Sequence, residues 1–93
     1  MTDFDFVKEK LGEKELLAQL AEECAELGKA ALKLRRAIGC GNPTPVTEEQ
    51  ARENLAEEMA DVTGCMRLLG IDVADVGAII EKKMRRWRAR LEG

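Results

Sequence analysis

The chain has no histidine and no tyrosine, and its only aromatic residues are Phe4, Phe6 and Trp87. Without histidine, and with no Cys-x-x-Cys spacing, a zinc site is not expected. The three cysteines are an odd number, and nothing in the sequence suggests export, so reduced thiols and a cytoplasmic location are the expectation. No apolar run is long enough to span a bilayer, and no succession of basic, apolar and small residues opens the chain as a secretory signal would. Prolines are confined to Pro43 and Pro45. No segment alternates polar and apolar residues for long enough to form a strand. No Gly-x-Gly-x-x-Gly or Walker-type spacing follows a strand, which removes the common phosphate-binding loops.

What remains favours helices. The 93 residues are 45% hydrophobic and 35% charged, rich in Ala, Leu, Glu, Lys and Arg, the composition of a helical bundle. One small domain is expected, of a size that often gains stability by self-association. The first 12 residues show no sustained period and read as a short docking arm with a helical turn at most. A first long helix is predicted from about Glu13 to Ile38, with Gly28 inside it. A loop over 39–47 follows, stopped by Gly39 and by the two prolines. Thr47-Glu48-Glu49-Gln50 is a capping box that opens a second helix running to about Leu69. Asp72 caps a third helix that continues to about Leu91. The fold class is therefore all-α: an antiparallel bundle of three main helices, completed by oligomerisation.

A near-repeat carries the chemistry. Leu20-Ala21-Glu22-Glu23-Cys24-Ala25-Glu26-Leu27 returns as Leu55-Ala56-Glu57-Glu58-Met59-Ala60-Asp61-Val62, with five identities. At about 100° per residue, Leu16, Leu20, Cys24, Leu27, Ala31, Leu34 and Ile38 fall within roughly 40° of one line, with Glu23 about 60° and Glu26 about 120° to one side. In the second helix Leu55, Met59, Val62, Met66 and Leu69 form the line, and Glu58 and Asp61 take the same two offsets. Cys24 reads as a small core residue, and Leu20, Leu27, Leu55 and Val62 are expected to be buried. Four carboxylates converging beside a core would repel one another and lose hydration. A hard divalent cation removes both penalties, and Mg²⁺ commonly bridges protein carboxylates to substrate phosphates.

The third helix has the opposite sign. From Lys82 to Arg90 there are six basic residues and no acidic one. Measured from Val73, the apolar line through Ile80, Met84, Trp87 and Leu91 leaves Lys83, Arg86 and Arg90 on one flank, whereas Arg85 points to the other side. One cationic strip suits a triphosphate; a nucleic-acid surface would need more breadth, so nucleic acid is not the expected partner.

These residues resemble the MazG-like all-α nucleoside triphosphate pyrophosphohydrolases, whose pattern is Glu-Glu-x-x-Glu on one helix, Glu-x-x-Asp on the next and a basic Lys-x-Arg-Arg cluster on a third. Here the pattern is met by Glu22, Glu23 and Glu26, by Glu58 and Asp61, and by Lys83, Arg85 and Arg86, over roughly residues 13 to 90. Glu81 stands where the family often has an Asn. The resemblance implies that Glu23, Glu26, Glu58 and Asp61 hold Mg²⁺, or Mn²⁺ in its place, and carry the catalysis. It implies that Lys83 and Arg86 bind the substrate phosphates, and that a nucleoside triphosphate is split to the monophosphate and pyrophosphate by a homodimer or a tetramer. Glu22 and Glu57 are candidates for an outer-shell role, although the wheel turns both toward solvent. The alternative is a non-catalytic homodimeric helical module whose basic third helix binds a partner protein or nucleic acid.

Overall fold

The computed structural model describes residues 1–93 apart from the side chain of Val73, so the position that periodicity gives Val73 on the apolar line of the third helix lies outside the described residues. Three helices follow in order: α1 (Asp3–Ala37), α2 (Glu48–Leu68) and α3 (Val73–Glu92). The all-α expectation holds, and the long connection between α1 and α2 is the predicted loop.

The N-terminal arm is helical, contrary to the expectation. Thr2 and Asp5 form a capping box, in which the Asp5 N–H donates to Thr2 Oγ1 at 3.1 Å and the Thr2 N–H donates to Asp5 Oδ2 at 3.0 Å. These bonds satisfy amides that the first turn leaves orphaned. They also hold the Asp5 carboxyl below its ordinary range. The helix then bends at Gly12, whose φ of 78° and ψ of 167° break the helical backbone between two helical stretches. A residue with a Cβ is strained at that φ, so the bend depends on glycine.

The remaining ends follow the sequence reading. Thr47 accepts from the Gln50 N–H at 3.1 Å and Gln50 Oε1 accepts from the Thr47 N–H at 3.0 Å. Asp72 caps α3 by accepting from the Ala74 N–H at 3.1 Å. Both α1 and α2 end in Schellman motifs: Cys40 N–H donates to the Arg35 carbonyl and Gly39 N–H to that of Arg36, and Ile71 and Gly70 repeat the pattern on Met66 and Arg67.

Helices α1 and α2 pack together as an antiparallel pair. The residues that turn inward are spaced by alternating fours and threes: Leu16, Leu20, Glu23, Leu27, Ala30, Leu34 and Ala37 on α1, and Ala51, Leu55, Glu58, Val62, Cys65 and Leu69 on α2. All are buried or half-buried. That spacing is the heptad seam of a coiled coil. The buried core within it is small, consisting of Leu16, Ala30, Leu34, Ala51 and Cys65.

The seam is rotated from the predicted apolar line toward the carboxylates, and this corrects several positions. Cys24, Ala31, Ile38 and Met59 are exposed, whereas Leu20, Leu27, Leu55 and Val62 are half-buried. Cys65, outside the predicted apolar line, is buried. The rotation brings the small residues Ala30, Ala51 and Cys65 into the seam beside Leu16 and Leu34, and small side chains permit close approach of two helices.

Among the described residues, α3 packs against neither α1 nor α2. Its apolar residues stay open, with Trp87 53% and Leu91 78% exposed. The chain is correspondingly extended: its radius of gyration is 16.6 Å, against about 12 Å for a compact chain of this length.

Candidate metal centre

At the middle of the α1–α2 seam three acidic side chains converge. Glu23 from α1 and Glu58 and Asp61 from α2 each offer a carboxylate oxygen, and these oxygens lie within 4.8 Å of one another. Glu23 and Glu58 are half-buried because they occupy seam positions; Asp61, one turn on and about 60° around α2 from Glu58, is exposed. Two of the three carboxylates are thus partly covered and the third is open to solvent. Gln19, one helical turn before Glu23, donates from Nε2 to Glu23 Oε1 at 2.7 Å and orients that carboxylate.

The electrostatics record the crowding. The Glu58 carboxyl is pushed above its ordinary range, first by desolvation and then by the neighbouring charges of Asp61, Glu23, Glu26 and Glu57. Beneath it, the Cys65 thiol is pushed up by burial and by Glu23, Asp61 and Cys24. No basic group forms an ion pair with Glu23, Glu58 or Asp61 among the described residues. The site thus gathers negative charge that the chain itself does not neutralise.

The donor set fits a hard divalent cation. Carboxylate oxygens are the ligands Mg²⁺ and Mn²⁺ prefer, and opposite ligands on Mg²⁺ stand about 4.2 Å apart, so small rotations of these side chains would close the group around the ion. The exposure of Asp61 suits an ion that keeps several waters.

Of the predicted site residues, Glu26 lies outside the convergent trio. It is on the same face, close enough to perturb Glu58, but its own carboxylate is 3.5 Å from Lys29 Nζ in an exposed ion pair. Glu22 and Glu57 are exposed, as the wheel indicated, and Glu57 acts on Glu58 only through its charge. Lys83 and Arg86 are exposed on α3, on one side of the helix with Met84, Trp87 and Arg90, and Arg85 lies apart from them. Because α3 stands apart from the pair, the structure does not bring this strip over the carboxylates. Sequence reasoning missed Gln19 and Cys65. The i, i+4 relation of Gln19 to Glu23 was the available signal for the first; Cys65 reveals itself only once the seam is known.

Comparison of the chain with family models, with curated proteins and with solved structures finds no match.

Proposed function

We propose that this protein is a Mg²⁺-dependent nucleoside triphosphate pyrophosphohydrolase, converting a ribo- or deoxynucleoside triphosphate to the monophosphate and pyrophosphate, and that it works as a homo-oligomer. The observation that supports the metal is the convergence of Glu23, Glu58 and Asp61 from two helices. The reaction class rests on the resemblance of the acidic and basic motifs to the MazG-like enzymes.

In this reading Glu23, Glu58 and Asp61 hold the ion, with Gln19 fixing the first of them. When bound, Mg²⁺ supplies Lewis-acid polarisation of phosphoryl oxygens and lowers the pKa of a bound water. Glu26, on the same face but outside the trio, would take the proton of the attacking water once released from its exposed ion pair with Lys29. Lys83 and Arg86 bind the phosphates and offset the charge that develops on the departing pyrophosphate. Their approach requires α3 to fold over an acidic face, whether its own or that of another subunit.

A second reading has one specific observation in its favour. The open, basic, apolar-striped α3 is also what a partner-binding helix looks like. A screen of ribo- and deoxynucleoside triphosphates with Mg²⁺, read by pyrophosphate release, separates the two. Release from at least one nucleotide, lost in Glu58→Gln, is the expected result. No release from any nucleotide would leave the helical module as the better account.

A further inference from the structure

We propose that α3 docks on a membrane surface rich in anionic lipid, lying along it rather than crossing it. Among the described residues α3 packs against neither α1 nor α2, and no helix is long and apolar enough to cross a membrane. Around the axis of α3, Trp87, Ile80, Leu91 and Met84 fall within roughly 60° of one another. All four are exposed, at 47% to 78%. No charged side chain enters the sector of roughly 140° between Lys83 and Arg88 that contains them. From Ile80 to Leu91 this stripe follows three turns, about 16 Å of helix.

The two flanks of the stripe differ. Lys83, Arg86 and Arg90 line one of them with no acid among them, and the exposed Ile79 shares that flank. The other carries Arg85 and Arg88 beside Glu81 and Glu92, and Arg88 is ion-paired to Glu92. Trp87 stands at the edge of the stripe nearest the cationic flank. An indole, apolar in its body and polar at its N–H, belongs at that border, level with lipid headgroups. The long cationic side chains beside it can lay their stems along the apolar surface and keep their charges at the headgroups. A narrow apolar stripe with a bordering tryptophan and a basic flank, on an otherwise polar helix, is the pattern of a helix that lies in the interface plane.

Charge names the occupant. Lys82 to Leu91 carries six basic side chains and no acidic one, whereas the first 81 residues carry nine basic and 17 acidic. A negative lipid surface therefore attracts α3 and repels the rest of the chain, which confines the contact to this helix. Nucleic acid would satisfy the cations, but its phosphate backbone offers no apolar layer to Ile80, Met84 and Leu91.

The chain contains one tryptophan and no tyrosine, so its intrinsic fluorescence reads α3 directly. The test mixes the full chain, in metal-free buffer, with vesicles of phosphatidylcholine alone or of phosphatidylcholine with phosphatidylglycerol. With the anionic vesicles Trp87 emission should move to shorter wavelength and be quenched by lipids brominated near the headgroup, and the response should weaken as salt is added. Phosphatidylcholine alone should give little of either. Met84→Gln combined with Leu91→Gln should lower the partition coefficient at least about tenfold with helical content retained, because two apolar side chains no longer leave water. Ala89→Gln, on the opposite side of α3, should change it by less than about twofold. Should the double variant lose its helix, the quenching in the unaltered protein decides alone. No response to anionic vesicles, or an equal response to both compositions, would overturn the proposal. So would a Trp87 emission already at short wavelength in buffer and indifferent to lipid, which would show that protein covers the stripe. A shift produced by duplex DNA and not by anionic vesicles would overturn it in favour of nucleic acid. None of these readouts involves nucleotide hydrolysis, so the enzyme reading and this one stand or fall separately.

Discussion

Glu58 concentrates the tension in this molecule: a carboxylate at a seam position, facing Glu23 and Asp61, with no ion pair to a basic side chain among the described residues. Its carboxyl is raised, so the folded chain holds that proton more tightly than the unfolded chain does. Glu58 contributes stability below its ordinary carboxylate range and loses it as pH rises through its elevated folded value, so at neutral pH without metal it is a liability. Asp5 behaves oppositely, since its capped carboxylate is favoured when ionised and its contribution disappears as pH falls through its depressed range. A comparison of variants isolates the first group. In metal-free buffer Glu58→Gln should melt above the unaltered protein at neutral pH, and the difference should shrink as pH falls into the ordinary carboxylate range. A difference that stays constant or grows on acidification would show that Glu58 is not under strain from its neighbours.

The elements differ in how much of them the sequence announced. The cap of α2 was legible from four letters, because a capping box is a local device that acts through its own turn. Thr47→Ala removes the oxygen that receives the Gln50 amide and should cost about 1 kcal/mol, measurable as a lowered midpoint in urea without a change in slope. The start of α1 was hidden because Thr2 and Asp5 use the same device ahead of a stretch with no clear period, and Gly12 interrupts the register. The carboxylate pairs were legible as repeats, and their convergence depends on the seam. The seam lies one position back from the predicted line at Cys24, Ala31, Met59 and Met66, because a ranking by hydrophobicity does not favour Glu23 and Glu58, which face the other helix together with Ala30 and Cys65. The position of α3 was not legible at all, because wheel arguments assign faces and do not assign neighbours. Its cationic strip nevertheless gives a ranked prediction. Lys83→Ala and Arg86→Ala should each lower kcat/KM by at least tenfold, about 1.4 kcal/mol of transition-state stabilisation, and Arg85→Ala should do little. Equal losses at all three positions would mean that α3 contributes overall charge rather than placed contacts.

For the whole molecule, the small core together with the proposed homo-oligomer would make folding and assembly one equilibrium. Below about 80 residues of packed core a single chain rarely holds more than a few kcal/mol, and here only one helix pair is packed. The melting temperature should therefore rise with protein concentration. A midpoint independent of concentration would show that the single chain is stable by itself. The central claim, however, is that two helices assemble a carboxylate site for a divalent cation, and thermal melting with and without Mg²⁺ or Mn²⁺ tests it most directly. The account predicts that either ion raises Tm in the unaltered protein and that Glu58→Gln abolishes the rise with its helical content intact. An equal rise in Glu58→Gln, or none in the unaltered protein, would contradict it.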